Sequence, residues 1–261
     1  RLRALASRVF NFRQQGALFF IALGFLTRLP IPSSIAFSQQ RLNLAARYFP
    51  WVGWLIGALC AAVLWLCALV FPLPVAVVLV MVFSLFLTGG VHEDGLADTC
   101  DGIGGGWSIE QKLSIMKDSR LGTYGALGLI CALLIKHQSL VNLFAPCLAL
   151  LVAHPLSRLV PVLLMRWLDY VQQDRASKVK PLAMSLDGTS FIVALIGGGL
   201  ALIFSMGQWP ILLLWLGFLV VASRWWLMKH LGGYTGDTLG AVQQVAELGI
   251  YLVLLAAETP I

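Results

Sequence analysis

Apolar runs occur at 17–31, 50–71, 74–91, 121–135, 139–165, 190–206, 209–228 and 239–256, and short polar stretches separate them. A helix needs about 20 apolar residues to cross a bilayer, and in hydrocarbon it pairs all of its own backbone N–H and C=O groups. The pattern predicts an all-α fold, a polytopic helical integral membrane protein with about seven or eight hydrophobic helices. The first run differs from the rest. It is short, is broken by Thr27-Arg28 and ends in Pro30-Ile31-Pro32, which predicts a re-entrant or interfacial helix rather than a span.

Composition narrows the class. Hydrophobic residues make up 59% of the 261 and charged residues 11%, whereas a soluble domain carries about 25% charged residues. A single soluble core is excluded, and so is disorder, which needs low hydrophobicity. The net charge is +6, but the basic residues sit between apolar runs and form no single patch, so they read as topogenic and imply no nucleic acid. The five cysteines show no CxxC spacing and give neither a disulfide framework nor a zinc site. One membrane domain over 1–261 accounts for the chain, in contact with the lipid bilayer; the sequence assigns no oligomeric state.

Cytoplasmic loops collect Lys and Arg. If the first run does not cross, Arg1, Arg3, Arg8, Arg13, Arg41 and Arg47 share a side with Lys112, Lys117, Arg120, Arg166, Arg175, Lys178, Lys180 and Lys229, and only Lys136 falls at an opposite end. That arrangement puts 92–120, 166–189 and 229–238 together on the cytoplasmic face. The loop carrying Arg175, Lys178, Lys180 and Asp187 reads as solvated.

Six of the twelve acidic residues fall between Glu93 and Asp118. If the third apolar helix continues through this stretch, Asp94, Asp98 and Asp101 lie at i, i+4 and i+7, within about 60° of arc. Like charges so spaced repel, and carboxylates at the mouth of a membrane helix are costly to desolvate. A cation belongs among them. Hard oxygen donors select Mg²⁺, Mn²⁺ or Ca²⁺ over zinc, and Mg²⁺ usually binds through a few carboxylates plus substrate phosphates. The competing reading is a solvated acidic helix end, which needs neither a shared face nor the glycines that crowd both sides.

Beyond this stretch, Ser108-Ile109-Glu110-Gln111 has the form of a capping box and predicts a short surface helix from 109 to about 118. Lys117 and Arg120 at its end are suited to neutralise phosphate oxygens and Asp118 to add a metal ligand; alternatively, both cations only mark the cytoplasmic edge of the next helix. Near the C-terminus, Gly236 and Asp237 open the last apolar run, where a helix N-terminus offers free N–H groups to a phosphate. Asp237 is otherwise an ordinary N-cap. Glu247 lies inside that run, and an ionisable residue there is a functional candidate. His154 and Arg158 stand at i and i+4 in the fifth run, where structural pairing to a carboxylate competes with substrate contact; Arg28 beside Pro30 poses the same question.

Taken together, four segments make the chain resemble the adenosylcobinamide-GDP ribazoletransferases, also called cobalamin synthases. They are Phe25 to Pro32, the acidic stretch His92 to Gly102, Met116-Lys117-Asp118-Ser119-Arg120-Leu121-Gly122-Thr123-Tyr124-Gly125, and Gly232 to Ala241. They follow the family's order over nearly the whole chain. Glu93 departs from the pattern, since Leu is common there, and is not carried over as a ligand. The resemblance implies a multi-pass enzyme of the cell inner membrane, its active site facing the cytoplasm, in the last steps of vitamin B12 assembly. It implies that adenosylcobinamide-GDP is joined to α-ribazole or its 5′-phosphate with release of GMP, that Mg²⁺ is required, and that a ribose hydroxyl attacks the phosphorus next to the cobinamide arm.

On this reading Asp94, Asp98 and Asp101 are metal ligands, and Lys117 and Arg120 are phosphate clamps. Asp118 and Asp237 are further ligands or the base, and Arg28, Gly236 and Asp237 also meet substrate. Two rivals remain. A cation transporter also uses membrane carboxylates, but often in mid-helix within inverted repeats, and no convincing repeat is seen here. A CDP-alcohol phosphotransferase also keeps spaced aspartates at a membrane helix end.

Overall fold

The computed structural model describes residues 12–171 and 186–258; Arg1, Arg3, Arg8, Arg175, Lys178 and Lys180 lie outside them. Each apolar run lies largely on helix, although the run 139–165 is divided by the non-helical residues 143–145 and the first run leaves its helix at residue 27. In chain order the helices are α1 Phe12–Leu26, α2 Gln39–Ala45, α3 Phe49–Ala68, α4 Leu73–Thr88, α5 Val91–Gly105, α6 Ile109–Met116, α7 Thr123–Asn142, α8 Pro146–Trp167, α9 Gly188–Gly199, α10 Trp209–Leu231 and α11 Gly236–Glu258. A 3₁₀ turn joins α2 to α3, and another extends α9. Among the described residues, five stretches are long and apolar enough to cross a membrane: Gln39–Ala68, α7, α8, α10 and α11, with α4 and α5 a sixth if the bent pair is one span. The chain is therefore a polytopic helical membrane protein.

The first run forms α1, one of two shorter apolar helices. It ends where the sequence breaks: the Thr27 hydroxyl donates to Leu23 O at 2.7 Å, and Leu29 N–H donates to Thr27 Oγ1 at 3.2 Å. These local bonds turn the chain out of the helix before Pro30.

Two boundaries differ from the sequence pattern. The third apolar helix does not continue into the acidic stretch. It stops at Thr88, Gly89 and Gly90 both take φ +67°, and α5 sets off at 89° to α4. Only glycine adopts that left-handed backbone at little cost. We read the span as ending at Thr88, since α5 turns away carrying His92, Glu93, Asp94, Asp98 and Asp101. The second difference concerns Lys136, which does not mark an opposite membrane edge. Helix α7 runs through it to Asn142, and Lys136 is buried because two carboxylates meet it inside the bundle.

Helices α8 and α11 form the centre, with 78% and 72% of their apolar windows buried. Helix α3 crosses α8 closely, with Gly53 against the His154 carbonyl and Gly57 against that of Leu150. Helix α5 lies along α11 and also touches α7. The indoles of Trp51 and Trp54 donate to Val193 O and Gly197 O, fastening α9 to α3.

Candidate active site

The acidic helix α5 reaches α11 because Gly95 has no side chain: a Cβ there would lie 2.7 Å from Asp237 O. Asp94 and Asp237 are brought to one wall by this contact. Asp94 stands at the border of two cavities. The smaller, about 230 Å³, is lined by residues that include Phe25, Phe49, His92, Asp94, Arg158, Pro161, Gly236, Asp237 and Gln243. The larger, about 650 Å³ and polar, is lined by Gly89, Gly90, Glu93, Asp94, Asp98, Lys117, Asp118 and Arg120 among others. Asp94 is the one residue common to both linings.

Carboxylates crowd this border. Burial and the neighbouring carboxylates of Asp237, Asp94 and Asp101 push the Asp98 carboxyl up to about 6, as desolvation and like charge both disfavour the ionised form. Among the described residues, no three His, Cys, Asp or Glu side chains already converge as a ligand set. Hard oxygen donors crowded enough to raise a carboxyl in this way nevertheless suit a hard divalent cation.

Asp101 shares the helix but has a second task. It is buried, and its two oxygens accept from the N–H groups of Gly122 and Gly125 at 2.7 and 2.8 Å. It thereby caps the start of α7. Each oxygen keeps a further lone pair.

The capping box at Ser108 and Gln111 is present, and its helix, α6, ends at Met116, close to the expected span. Asp118 then accepts from the Arg120 backbone N–H at 3.1 Å and from its Nε at 3.0 Å. The Arg120 side chain is 87% exposed, and its hydrogen bonds hold the Asp118 carboxyl below the usual range. Asp118 is thus a weak base. Lys117 and Arg120 face the polar cavity. The Arg28 guanidinium passes over Gly89, which lines the same cavity.

At the start of α11, Thr235 N–H donates to Thr238 Oγ1 at 2.9 Å and Thr238 N–H to Thr235 Oγ1 at 3.2 Å. Thr235 supplies the cap, so the N-cap alternative for Asp237 falls away, and both Gly236 and Asp237 line the smaller cavity. The preceding turn is pinned by Tyr234, whose N–H donates to Asp169 O at 2.9 Å and whose carbonyl accepts from Val171 N–H at 2.8 Å.

Behind the site lies a buried ionic network. Lys136 Nζ is 3.0 Å from Glu247 Oε1 and 3.6 Å from Glu93 Oε1. Gln243 and Tyr251 also donate to Glu247, at 2.8 and 3.2 Å, and His154 Nδ1 lies 3.8 Å from it. Glu247 is accordingly a structural anchor, and His154 is its neighbour. Sequence reasoning missed Lys136 and Glu93 in this network: Lys136 sits at a gap between apolar runs, and Glu93 is hidden among the site aspartates. Asp187, read as solvated, is exposed and also caps α9 by accepting from Ser190 N–H at 2.8 Å.

The chain matches the family model described as cobalamin-5-phosphate synthase over residues 18–255. It is 49% identical over 252 residues to the adenosylcobinamide-GDP ribazoletransferase of Shewanella piezotolerans, covering 94% of this chain and 97% of the relative. The protein of that name from Vibrio parahaemolyticus is 45% identical over 255 residues, 96% of each chain. No solved structure matches the chain.

Proposed function

The chain belongs to the cobalamin-5-phosphate synthase family, and on that footing we propose that it is a Mg²⁺-dependent phosphotransferase of the inner membrane. It joins adenosylcobinamide-GDP to α-ribazole or α-ribazole 5′-phosphate and releases GMP. The observation that carries this reading is Asp94, held where a polar cavity with Lys117 and Arg120 meets a smaller cavity with Asp237. Two substrates entering from two cavities would meet at one carboxylate.

The oxygen of the acceptor's ribose hydroxyl forms a bond to the phosphorus next to the cobinamide arm. The bond from that phosphorus to the bridging oxygen of GMP breaks, and GMP departs with that oxygen. Asp237 takes the hydroxyl proton. Lys117 and Arg120 bind the diphosphate oxygens, Asp118 holds Arg120 in place, and Arg28 borders the same cavity beside Gly89. Gly236 gives the acceptor close access to the start of α11. Asp94 and Asp98 are the principal Mg²⁺ ligands, with the remaining lone pairs of Asp101 behind them. Bound Mg²⁺ would neutralise phosphate charge as it moves toward the leaving group, the main need of phosphoryl transfer. Lys117 and Arg120 in the lining of the polar cavity support a cytoplasmic site under the positive-inside rule.

Purified protein given Mg²⁺ and either adenosylcobinamide-GDP with α-ribazole or a CDP-alcohol with diacylglycerol as acceptor tests the reading. GMP from the first donor is the expected product. CMP from the second, or no nucleotide from either, would favour the lipid-headgroup enzyme or the transporter.

A further inference from the structure

Arg158 is 2% exposed and sits in the wall of the smaller cavity. Its Nη1 donates to the carbonyl of His154 at 3.0 Å and lies 3.1 Å from His154 Nδ1. Its Nε has no partner, and no carboxylate lies within ion-pairing distance of it among the described residues, although Glu247 pairs with Lys136 close by. A buried guanidinium whose nearby carboxylates already pair with Lys136 keeps part of its hydrogen-bonding capacity unmet, at a cost, and in a cavity wall such a group suits an anion. The opposite charge lines the same cavity as Asp94 and Asp237. The same lining includes apolar groups, among them Phe25 and Phe49, whose rings stack at 5.6 Å and 5°. The cavity thus asks for a ligand with an anionic end, a flat apolar body and a hydroxyl that the carboxylates can reach.

Resting on the function proposed above, we propose that Arg158 binds the phosphate of a phosphorylated acceptor, making the smaller cavity the acceptor subsite and Arg158 its specificity-determining residue. The guanidinium fork meets two phosphate oxygens at once. Holding the 5′-phosphate at Arg158 leaves the acceptor's ribose hydroxyl free to point toward Asp237 and Asp94, where the donor arrives from the polar cavity.

The test compares α-ribazole 5′-phosphate with α-ribazole as acceptor, with adenosylcobinamide-GDP as donor, in wild type, Arg158→Gln and Arg158→Lys. The wild type should use the phosphorylated acceptor with a kcat/KM higher by about tenfold to a hundredfold, the range of charged hydrogen bonds. Arg158→Gln should erase that ratio mainly by raising KM for the phosphorylated acceptor, and Arg158→Lys should keep part of it. Equal use of both acceptors by the wild type overturns the inference while leaving the enzyme assignment intact, and this comparison needs no variant to fold. A raised KM for the donor in Arg158→Gln, with the acceptor ratio preserved, overturns it too and assigns the guanidinium to the donor's diphosphate. Absence of GMP from the wild type with either acceptor would instead refute the enzyme reading.

Discussion

Lys136 Nζ and Glu247 Oε1 lie 3.0 Å apart on two different helices, α7 and α11, both side chains nearly withdrawn from solvent. Removing one partner of such a pair leaves an uncompensated buried charge and costs about 3–5 kcal/mol. Lys136→Met should therefore lower the unfolding temperature in detergent sharply, and a further Glu247→Gln change should recover part of the loss. Wild-type stability in Lys136→Met would contradict the structural role.

Asp101 should behave differently from its neighbours on α5. Because both of its oxygens accept from Gly122 and Gly125, Asp101→Ala strands two backbone donors, at about 1–3 kcal/mol for each that is buried. Thermal unfolding in detergent without metal should show Asp101→Ala destabilised and Asp98→Asn at or above wild type, while GMP release falls in both. Equal stability of the two variants would remove the capping role.

Asp98 gives a pH dependence with a defined sign. Its folded-state pKa is raised to about 6, above the unfolded value, so ionising it disfavours the metal-free fold at pH values above that point. Protonation relieves the crowding below pH 6, and Mg²⁺ bound as proposed would relieve it above. The rise in melting temperature on adding Mg²⁺ should be larger at pH 7.5 than at pH 5, and Asp98→Asn should flatten the difference. A shift that is the same at both pH values would separate Asp98 from the metal.

Arg120 is exposed and holds Asp118 in a surface pair, the kind that contributes about 0–1 kcal/mol to stability. Arg120→Lys should leave the melting temperature unchanged yet lower activity markedly, since the single ammonium cannot grip two phosphate oxygens. Full activity in Arg120→Lys would leave this residue as a marker of the membrane edge.

Much of the architecture was legible because membrane helices write themselves as apolar length: each of the eight runs lies largely on helix, although the break expected near Lys136 falls at 143–145 instead. The capping box at Ser108 was legible for the same local reason. What the pattern hid is tertiary. Lys136 sits at a gap between apolar runs, and only the approach of Glu247 and Glu93 from other helices explains its burial. The right-angle turn at Gly89 was hidden too, since two glycines after an apolar run permit either a continued helix or a left-handed break. Asp94, Asp98 and Asp101 were found together, but that Asp101 ties down α7 depends on a loop more than 20 residues away in sequence. Asp237 was singled out and lines the smaller cavity, while its freedom from capping rests on the Thr235–Thr238 pair, which the apolar pattern does not reveal.

On the function proposed above, transfer takes place at Asp94, where the two cavities meet. The most direct measurement is the rate of GMP release from adenosylcobinamide-GDP by wild type and Asp94→Asn, in the same lipid vesicles, at saturating Mg²⁺ and acceptor. Loss of a group that stabilises transition-state charge costs about a hundredfold or more, so Asp94→Asn should fall at least that far while its melting temperature without metal stays at or slightly above that of wild type. A folded Asp94→Asn protein releasing GMP within about twofold of the wild-type rate, a difference of only some 0.4 kcal/mol in barrier, would contradict the account.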